Sequence, residues 1–476
     1  MRGEAMVELK NVSFRYGTMD SAELFNSLSD INLTVQQGEF VLLTGPSGCG
    51  KTTILRLING LIPHFYPGVI QGSVTIAGKP VQDQELYATA LQVGTVFQDP
   101  RSQFYNVDTT GELAFACENR GLPEREIYTR IDDTVERFHM ESLMDRNIFQ
   151  LSDGEKQKIA CASVDAGGTE IILLDEPSAN LDFESMLALR EMLRLWRSQG
   201  KTILVAEHRI AYLWDLIDRA VILQDGRIVK ELFGREKDNM TDDGLYAMGL
   251  RARTLEAPDQ ISLPSAEKET GTMILRDFSF SFPGSKQPLF EIPELRIAAG
   301  EITAITGGNG AGKTSFLTCL GGLERRCKGT LEYDGHRYDR KARKKLCFMV
   351  MQDTGNQLFT ESVLEEVLIS LPKHSEPERA TEILRQLDLH EFLDRHPQSL
   401  SGGQKQRLAI ACALASGRKL LLLDEPTSGL DYAHMMETAA LLEQLRQMGT
   451  TILVVTHDSE LIRACCSRKI SFRPQQ

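Results

Sequence analysis

Long apolar runs are missing from this 476-residue chain, and none approaches the roughly 18 residues that a membrane-spanning helix needs. The opening MRGEAMVELK has no apolar segment of the kind that signal peptides contain. Positive charge is also scarce, because 53 Lys and Arg residues stand against 66 Asp and Glu residues, which gives a formal net charge of −13. We therefore expect a cytosolic chain and not a generally basic nucleic-acid binder.

Metal-binding cysteine patterns are missing as well. The nine cysteines include no C-x-x-C pair, which argues against a zinc or iron–sulfur site, and we expect free thiols in a reducing compartment. One local cluster of positive charge consists of Arg340, Lys341, Arg343, Lys344 and Lys345. A solvated surface helix or loop explains this cluster more simply than a nucleic-acid contact does.

What the sequence does contain is a phosphate-binding loop. The stretch VLLTGPSGCGKTT at 41–53 fits the pattern G-x-x-x-x-G-K-[ST] between an apolar strand and an amphipathic helix. Glycines let the backbone turn tightly, so that many N–H groups face one anion. Lys51 would contact the β- and γ-phosphates and the Thr52 hydroxyl would ligate Mg²⁺, while the helix N-terminus favours negative charge. The predicted loop residues are Gly45, Pro46, Ser47, Gly48, Cys49, Gly50, Lys51, Thr52 and Thr53.

The same loop recurs in the second half of the chain, in ITAITGGNGAGKTS at 302–315. A repeated unit of this size indicates a duplicated machine. We predict an α/β fold in two large units, at 1–233 and 273–476, joined at 234–272 by a polar linker with a short helical appendage around 245–255. The second set of predicted phosphate-binding residues is Gly307, Gly308, Asn309, Gly310, Ala311, Gly312, Lys313, Thr314 and Ser315.

Each half also carries a pair of acids directly after a buried apolar strand. The pairs are Asp175 with Glu176 and Asp424 with Glu425. The first acid of each pair is suited to holding hydrated Mg²⁺, and the second to orienting or deprotonating an attacking water. Another apolar strand follows each pair and ends at His208 or His457, where an open α/β sheet places its chemistry.

The spacing of these motifs repeats between the halves. Glu176 lies 24 positions after Ser152, and Glu425 lies 24 positions after Ser401. Each histidine then follows its glutamate by 32 positions. The P-loop lysines are 262 positions apart and the two serines 249, so the halves share their order of motifs but differ in detail.

With LSDGEKQ at 151–157 and LSGGQKQ at 400–406, the chain resembles the ABC ATPases over nearly its whole length. The resemblance implies two RecA-like P-loop cores, each with a helical subdomain and an antiparallel β subdomain, that hydrolyse ATP with Mg²⁺. It also implies head-to-tail pairing within the chain, so that each ATP lies between the P-loop of one domain and the signature of the other. The implied signature contacts are Ser152, Gly154, Ser401, Gly402, Gly403 and Gln404. The implied catalytic residues are the bases Glu176 and Glu425 and the γ-phosphate-contacting His208 and His457.

The resemblance assigns the remaining site residues too. Tyr16 and Phe282 match the aromatic residue that stacks on adenine in this family. Gln98 and Gln352 match the Q-loop glutamine, which senses Mg²⁺ and the transmembrane partner. The implied metal ligands are Thr52, Gln98, Asp175, Thr314, Gln352 and Asp424.

A narrower resemblance follows Gln98. The runs QDPRSQF and GELAFACENRGLP (111–123) are similar to the ATPases of energy-coupling factor (ECF) importers, although the second half lacks the proline and the ENxGLP. This similarity implies a peripheral motor at the cytoplasmic face of the membrane. Its partners would be a transmembrane coupling protein and a membrane-embedded binder of a vitamin or metal ion. Gln103 and Gln357 would lie near that interface.

Two alternatives stay open. One is a transporter ATPase outside the ECF group, and the other is a soluble tandem ABC ATPase that acts on ribosomes or nucleic acid. The predicted linker is short and contains prolines, unlike the long helical arm of translation-associated members. Together with the acidic balance, this favours a transporter without a nucleic-acid partner.

Two residues depart from the pattern. Asp153 replaces the first signature glycine and would place like charge near the γ-phosphate of the site that uses Lys313. We therefore predict that the site built from Lys51, Glu176, His208 and Ser401 turns over faster than that built from Lys313, Glu425, His457 and Ser152. Cys49 is either a small filler of the first loop or a reactive thiol whose pKa the helix N-terminus lowers.

Overall fold

The computed structural model describes residues 5–17, 25–263, 272–285, 287–373 and 375–472. By its internal contacts the chain divides into two compact units. The first comprises Met1–Leu255 with Asp431–Ala433, and the second comprises Glu256–Leu430 with His434–Gln476. Within the described ranges, no helix has both the length and the apolar character needed to cross a membrane.

The first unit contains two sheets. An antiparallel sheet has the strand order β2-β1-β4-β5, and a mainly parallel sheet has the order β10-β9-β3-β8-β7-β6. The strands are β1 (Ala5–Tyr16), β2 (Phe25–Gln36), β3 (Phe40–Thr44), β4 (Gly68–Ile76), β5 (Lys79–Pro80), β6 (Val93–Val96), β7 (Ile171–Asp175), β8 (Thr202–Ala206), β9 (Arg219–Gln224) and β10 (Arg227–Phe233). The helices are α1 (Lys51–Ile58), α2 (Leu61–His64), α3 (Leu86–Ala90), α4 (Thr109–Asn119), α5 (Glu124–Phe138), α6 (Asp153–Gly167), α7 (Phe183–Ser198), α8 (Gly234–Asp238) and α9 (Asp242–Tyr246).

The second unit repeats this plan. Its antiparallel sheet runs β12-β11-β14-β15 and its parallel sheet runs β16-β17-β18-β13-β19. The strands are β11 (Thr272–Phe280), β12 (Phe290–Ala298), β13 (Ile302–Thr306), β14 (Lys328–Tyr333), β15 (His336–Tyr338), β16 (Cys347–Val350), β17 (Leu420–Asp424), β18 (Thr451–Val455) and β19 (Arg468–Ser471). The helices are α10 (Lys313–Leu320), α11 (Arg340–Leu346), α12 (Val363–Leu368), α13 (Glu378–Gln386), α14 (Gly402–Ser416), α15 (Tyr432–Gln447) and α16 (Ser459–Cys465).

The central strands of both parallel sheets are buried on both faces. Every residue of β3, β7, β8, β13, β17 and β18 is buried. Parallel strands covered by helices read as continuous apolar runs, which is how these segments appear in the sequence. Because parallel strands all end at one edge of their sheet, the residues that follow β3, β7 and β8 come together there.

The segment between the halves differs from our expectation. Its helices α8 and α9 lie before residue 247, and no helix covers 247–255. Gly249 has a left-handed φ of 71°, and the N–H of Leu250 donates to the carbonyl of Leu245 at 3.0 Å. This is the hydrogen bond of a helix-ending turn, so the helix stops where we had predicted it to start.

The next residues of this segment bind the second unit. Lys469 on β19 donates to the backbone oxygens of Asp259 at 2.6 Å and Ile261 at 2.9 Å. Residues 256–261 are therefore attached to the parallel sheet of the second unit, although we had assigned them to the polar linker. The remainder of the predicted linker, 264–271, lies outside the described residues.

Candidate functional site

Backbone geometry requires glycine where each P-loop leaves its strand. Gly45 has a φ of 145°, and a Cβ there would lie 2.1 Å from the carbonyl oxygen of Leu223. Gly307 has a φ of 136°, and its Cβ would lie 2.2 Å from the carbonyl oxygen of Phe472. No side chain fits at either position, because both the dihedral angle and the space exclude it. The two loops thus share one construction.

Lys51 begins α1 and folds back over the first loop. Its ammonium group donates to the carbonyl oxygens of Gly45 at 3.0 Å and Pro46 at 3.1 Å. It also lies 3.3 Å from Nε2 of His208. The structure therefore places a buried cation at the centre of the loop, where the sequence predicted one for phosphate.

Thr52 and the acids after β7 meet beside this lysine. The Thr52 hydroxyl donates to Oδ1 of Asp175 at 2.9 Å. Burial raises the pKa of Asp175 to about 6, although the hydrogen bond from Thr52 lowers it. A hydroxyl and a carboxylate in contact form an oxygen ligand set of the type that Mg²⁺ prefers.

Glu176 contacts both His208 and the Q-loop glutamine, Gln98. It has a left-handed φ of 43°, its Oε2 accepts from the amide of Gln98 at 2.8 Å, and its Oε1 lies 3.2 Å from Nε2 of His208. Burial alone would raise the pKa of Glu176, but the hydrogen bond and charge of His208 and the charge of Lys51 outweigh it. The pKa is lowered, so this carboxylate is ionised at neutral pH and suited to act as a base.

Glu207 is a residue of this site that our sequence analysis missed. It is 2% exposed, and its Oε2 accepts from the hydroxyls of Ser178 at 2.7 Å and Tyr212 at 3.1 Å. Its Oε1 accepts from the backbone N–H groups of His208 at 2.7 Å and Arg209 at 3.1 Å. The sequence contains one signal for this residue, since Glu207 is an acid that follows a strand and directly precedes His208.

The second unit assembles the matching residues. The Lys313 ammonium group donates to the carbonyl oxygens of Gly307 at 2.7 Å and Gly308 at 2.9 Å. Burial raises the pKa of Asp424, and a hydrogen bond with Thr314 lowers it. The hydroxyl–carboxylate contact of the first unit is thus repeated here.

The histidine of the second unit is held in another way. Nε2 of His457 lies 3.5 Å from Oε1 of Glu425, and its backbone N–H donates to Oε2 of the same side chain at 3.3 Å. In the second unit Thr456 occupies the position that corresponds to Glu207. The hydroxyl of Thr427, which corresponds to Ser178, donates at 2.8 Å to the carboxylate of Asp458. The carboxylate therefore follows the histidine in this unit and precedes it in the first. The Gln352 side chain is exposed.

The signature residues lie at the N-termini of helices. Ser152 caps α6 in a capping box with Glu155, and Ser401 caps α14 in the same way with Gln404. A Cβ on Gly154 would lie 2.2 Å from the hydroxyl of Ser185, which explains the glycine. The other predicted signature residues, Gly402 and Gly403, belong to the first turn of α14.

Asp153 is paired with positive charge. Its carboxylate lies 2.7 Å from the Arg101 guanidinium and 3.6 Å from the Lys156 ammonium group. Arg101 belongs to the short turn after the Q-loop, in the QDPRSQF run. Positive side chains of the same unit therefore partly compensate the negative charge of Asp153, the residue that departs from the signature pattern.

The two predicted adenine-stacking residues differ in their surroundings. The Tyr16 hydroxyl lies 3.2 Å from that of Thr53 and accepts from the Arg56 guanidinium at 3.3 Å. Phe282 is 52% exposed and packs its ring edge-on against Phe280. Tyr16 is thus attached to the P-loop helix, whereas Phe282 projects from its strand end into solvent.

Gln103 and Gln357 have equivalent structural bonds. The side-chain oxygen of Gln103 accepts from the N–H of Phe97 at 3.2 Å, and that of Gln357 accepts from the N–H of Met351 at 3.1 Å. Each closes the turn that follows its Q-loop glutamine. Their predicted place near a membrane partner stays a prediction.

The structure bears on two single residues of the sequence analysis, Cys49 and Arg343. The pKa of the Cys49 thiol is raised, because burial outweighs the lowering effect of Lys51, and this favours the small filler over the reactive thiol. Arg343 is 2% exposed, so it does not belong to the basic surface that we assigned to residues 340–345. Its helix turns this side chain inward.

The family model described as ABC transporter matches residues 28–179 and 290–428. The chain belongs to the ABC transporter family. It is similar over nearly its full length to a candidate ABC transporter ATP-binding protein of Treponema denticola, with 42% identity over 97% of this chain and 94% of the relative. A candidate HMP/thiamine import ATP-binding protein of Bacillus subtilis, YkoD, is 33% identical over 96% of this chain and 88% of its own length.

The fold of this ABC protein is shared with a solved structure. That structure is a complex of archaeal ribosome recycling factor aABCE1 with a ribosomal stalk protein. The match has a TM-score of 0.66 and 23% identity, and it covers 97% of this chain and 87% of that one. At this identity the likeness concerns the fold. The prediction of an α/β protein with two ABC ATPase domains is confirmed, and the chain is an ABC-type ATPase.

Proposed function

We propose that this ABC ATPase is the energy-coupling subunit of a membrane transporter, which converts the binding and hydrolysis of Mg·ATP into motion of membrane-embedded partners. The observation that carries the enzymatic part is the continuous set of contacts from Lys51 through His208 and Glu176 to Gln98. These contacts connect the phosphate loop, the proposed base and the loop that faces the partner in this family.

ABC ATPases in general bind ATP with Mg²⁺, and the residues of this chain fit both. Thr52 with Asp175, and Thr314 with Asp424, offer hard oxygen ligands. Burial raises the pKa of both aspartates. A cation bound nearby would lower the pKa again, because it favours the ionised carboxylate. Gln98 and Gln352 would complete the ligand sets. Bound Mg²⁺ would neutralise part of the phosphate charge.

The chain's own residues supply the remaining chemistry. Lys51 and Lys313 would balance the charge that develops on the transferred phosphoryl group, in place of the carbonyl contacts they make in this structure. Glu176, ionised at neutral pH, would orient and deprotonate the attacking water, with His208 holding the γ-phosphate end. Glu425 and His457 would do the same in the second site. Catalysis would rest on positioning of the attacking water and on electrostatic stabilisation of the charge that develops on the phosphoryl group.

Coupling between ATP and the partner follows from the duplicated plan. We propose that the two ABC domains close on ATP head to tail within the chain and open after hydrolysis. In this arrangement the signature residues Ser152 and Ser401 would each face the P-loop of the other domain. A segment whose position depends on the γ-phosphate is a two-state element of the kind that drives such motion.

The transported substrate is proposed to be a vitamin or a metal ion. The run QDPRSQF–GELAFACENRGLP is similar to the ATPases of ECF importers, and the relative YkoD is named for HMP/thiamine import. The partners would then be a transmembrane coupling protein and a membrane-embedded substrate binder, at the cytoplasmic face of the membrane. The likeness to the ribosome recycling factor does not favour a ribosomal role, since at 23% identity it concerns the fold alone.

Fractionation of cells that carry a tagged full-length chain tests this proposal. We expect the chain to sediment with membranes, to resist washing with high salt in part, and to enter detergent extracts together with polytopic proteins. Sedimentation with ribosomal subunits, sensitive to nuclease and absent from membranes, would contradict the transport proposal. The assignment as an ATPase would stand in either case.

A further inference from the structure

A turn in the segment between the two halves is attached to the second parallel sheet. Residues Pro258–Gln260 form a 3₁₀ turn, and Pro258 and Ile261 are buried. The ammonium group of Lys469 on β19 donates to three backbone oxygens in and beside this turn, at 3.3 Å to Pro258, 2.6 Å to Asp259 and 2.9 Å to Ile261. An ammonium group has three N–H donors, so its bonds with this segment can occupy all of them.

The side chain of Asp259 bonds to the ends of two neighbouring strands. Its Oδ1 accepts from the hydroxyl of Thr306 at 2.5 Å and from the hydroxyl of Ser471 at 3.2 Å. Thr306 is the last residue of β13 and Ser471 is the last residue of β19, and the two are register partners in the parallel sheet. A hydrogen bond from a hydroxyl to a carboxylate is roughly twice as strong as one between neutral groups. One carboxylate oxygen therefore holds the two strand ends together.

These strand ends carry the second phosphate-binding loop. Gly307 directly follows Thr306, and its carbonyl oxygen accepts from the Lys313 ammonium group at 2.7 Å. After the neighbouring strand, the N–H of Phe472 donates to the carbonyl oxygen of Thr306 at 2.8 Å. The carbonyl oxygen of Phe472 lies so close to Gly307 that a Cβ there would be 2.2 Å away. Because the loop has no spare room at this point, a relative shift of the two strand ends would move it.

The first unit has a different pair of residues at these strand ends. Thr44 ends β3 as Thr306 ends β13, but its register partner on β9 is Ile222, which has no hydroxyl. The pair of hydroxyl donors is therefore specific to the second loop. Asp259 itself lies in the segment that we had assigned to the linker, so its carboxylate comes from outside the repeated motifs.

We propose that Asp259 is a positioning residue of the second ATP site. By holding the ends of β13 and β19 through Thr306 and Ser471, its carboxylate keeps Gly307 and the loop after it in the geometry that binds phosphate. Because Asp259 belongs to the segment that joins the halves, a change in that segment alters nucleotide binding at the second site alone. This inference rests on the proposed binding of ATP at the second loop, and it does not depend on the membrane partners.

Nucleotide binding to the full-length chain tests the proposal. The affinity for Mg·ATP is measured in the Lys51→Ala background, in which the second loop keeps its lysine and the first does not. We expect Asp259→Ala to weaken binding about fivefold, since the loss of one charge-assisted hydrogen bond has an effect of this order. Asp259 is exposed, so its truncation should leave the fold intact.

Changes at Thr306 test whether Asp259 acts through this hydroxyl. Thr306→Val should weaken binding to a similar extent, whereas Thr306→Ser keeps the hydroxyl and should bind like the parent chain. The double variant Asp259→Ala/Thr306→Val should bind as each single variant does, because the two changes remove the same hydrogen bond. Additive losses in the double variant, or an unchanged affinity in both single variants, would overturn the proposal.

Two controls separate this effect from a general disturbance of the protein. Gln260→Ala changes the neighbouring exposed side chain of the same turn and should leave the affinity unchanged. Asp259→Ala in the Lys313→Ala background should leave the affinity of the first site unchanged, and equal weakening at both sites would overturn the proposal. If adding Lys313→Ala to the Lys51→Ala chain did not reduce binding, the second loop would not be an ATP site, and the proposed function of that loop would fail together with this inference.

Discussion

The Glu207 carboxylate accepts hydrogen bonds from the Ser178 hydroxyl and from the backbone N–H of His208, each at 2.7 Å. Ser178 follows the acids of β7, and His208 follows β8, so this one side chain ties two neighbouring strand ends together. In the second unit the accepting carboxylate is that of Asp458, which accepts from the Thr427 hydroxyl at 2.8 Å. Glu207 does not touch the proposed reacting atoms, and we regard it as a positioning residue.

Glu207→Gln should therefore slow ATP turnover at the first site without weakening nucleotide binding. The amide cannot accept all of the present hydrogen bonds, so His208 would shift, and a small displacement of a catalytic group costs roughly tenfold or more in rate. We expect kcat to fall while KM for ATP stays within about twofold. The matched control is Asp458→Asn in the second unit, which should leave the first site's share of turnover intact. A parallel loss of nucleotide affinity in Glu207→Gln would point to a merely structural role.

The two proposed bases should contribute unequally. With head-to-tail pairing, Glu176 works opposite the intact signature at Ser401, and Glu425 works opposite the signature that contains Asp153. Glu176→Gln should then remove most of the ATP turnover, because a general base contributes about 10²- to 10⁴-fold, and Glu425→Gln should remove less. Steady-state phosphate release from both variants and the double variant measures this. Equal losses would mean that the two sites are equivalent.

Asp153→Gly tests the cause of that inequality. In the Glu176→Gln background, where only the second site turns over, we expect about a fivefold gain, which corresponds to roughly 1 kcal/mol. The gain stays modest because Arg101 and Lys156 already compensate the charge.

The reciprocal change provides the control. Gly402→Asp places a carboxylate at the equivalent position of the second signature, and in the Glu425→Gln background it should slow the first site by a similar factor. A gain from Asp153→Gly without a loss from Gly402→Asp would show that the carboxylate itself is not the cause.

Glu155 gives a prediction for acid stability. Burial raises its pKa, but the hydrogen bonds from Ser152 and the charge of Arg146 outweigh burial, and the pKa is lowered. A carboxylate with a depressed native pKa stabilises the fold above its unfolded pKa of about 4.3 and loses that contribution as the pH falls through the native value. The side chain is 33% exposed, so we expect less than about 1 kcal/mol.

Glu155→Gln separates the charge from the hydrogen bonds. Gln404 occupies the corresponding position of the second unit and forms the same capping box, so the variant should keep the capping hydrogen bonds and lose at pH 7 only the contribution of the charge, which is less than about 1 kcal/mol. Its free energy of unfolding should then fall less than that of the parent chain as the pH is lowered below about 4.3. Denaturant unfolding at several pH values checks this, and an identical acid-side loss in both proteins would contradict it.

The sequence predicts most of this fold because strand, loop and helix are encoded locally. The apolar run before Gly45, the glycines of the loop and the helical periodicity after Lys51 depend on neighbours within a few residues. Acids and histidines at strand ends could also be placed, because parallel strands share an edge. The capping boxes at Ser152 and Ser401 are likewise local features.

Contacts made across the fold were beyond prediction from the sequence. Glu207 accepts from the hydroxyl of Ser178, which lies 29 positions earlier, and the residues next to Glu207 in the chain do not indicate this partner. Arg343 looked like part of a basic surface because its neighbours are charged, yet its helix turns it inward against Phe278. The choice between the two interpretations of Cys49 likewise depends on the fold, since burial raises the pKa of its thiol.

The most direct test of the central claim is co-purification from native membranes. A tagged full-length chain carrying Glu176→Gln and Glu425→Gln, which should arrest the closed ATP-bound state, is extracted in detergent with Mg·ATP, and its bound proteins are identified by mass. We predict two polytopic membrane proteins in fixed ratio to the chain. A chain that brings no membrane protein with it, and instead carries ribosomal proteins under the same conditions, would contradict the account.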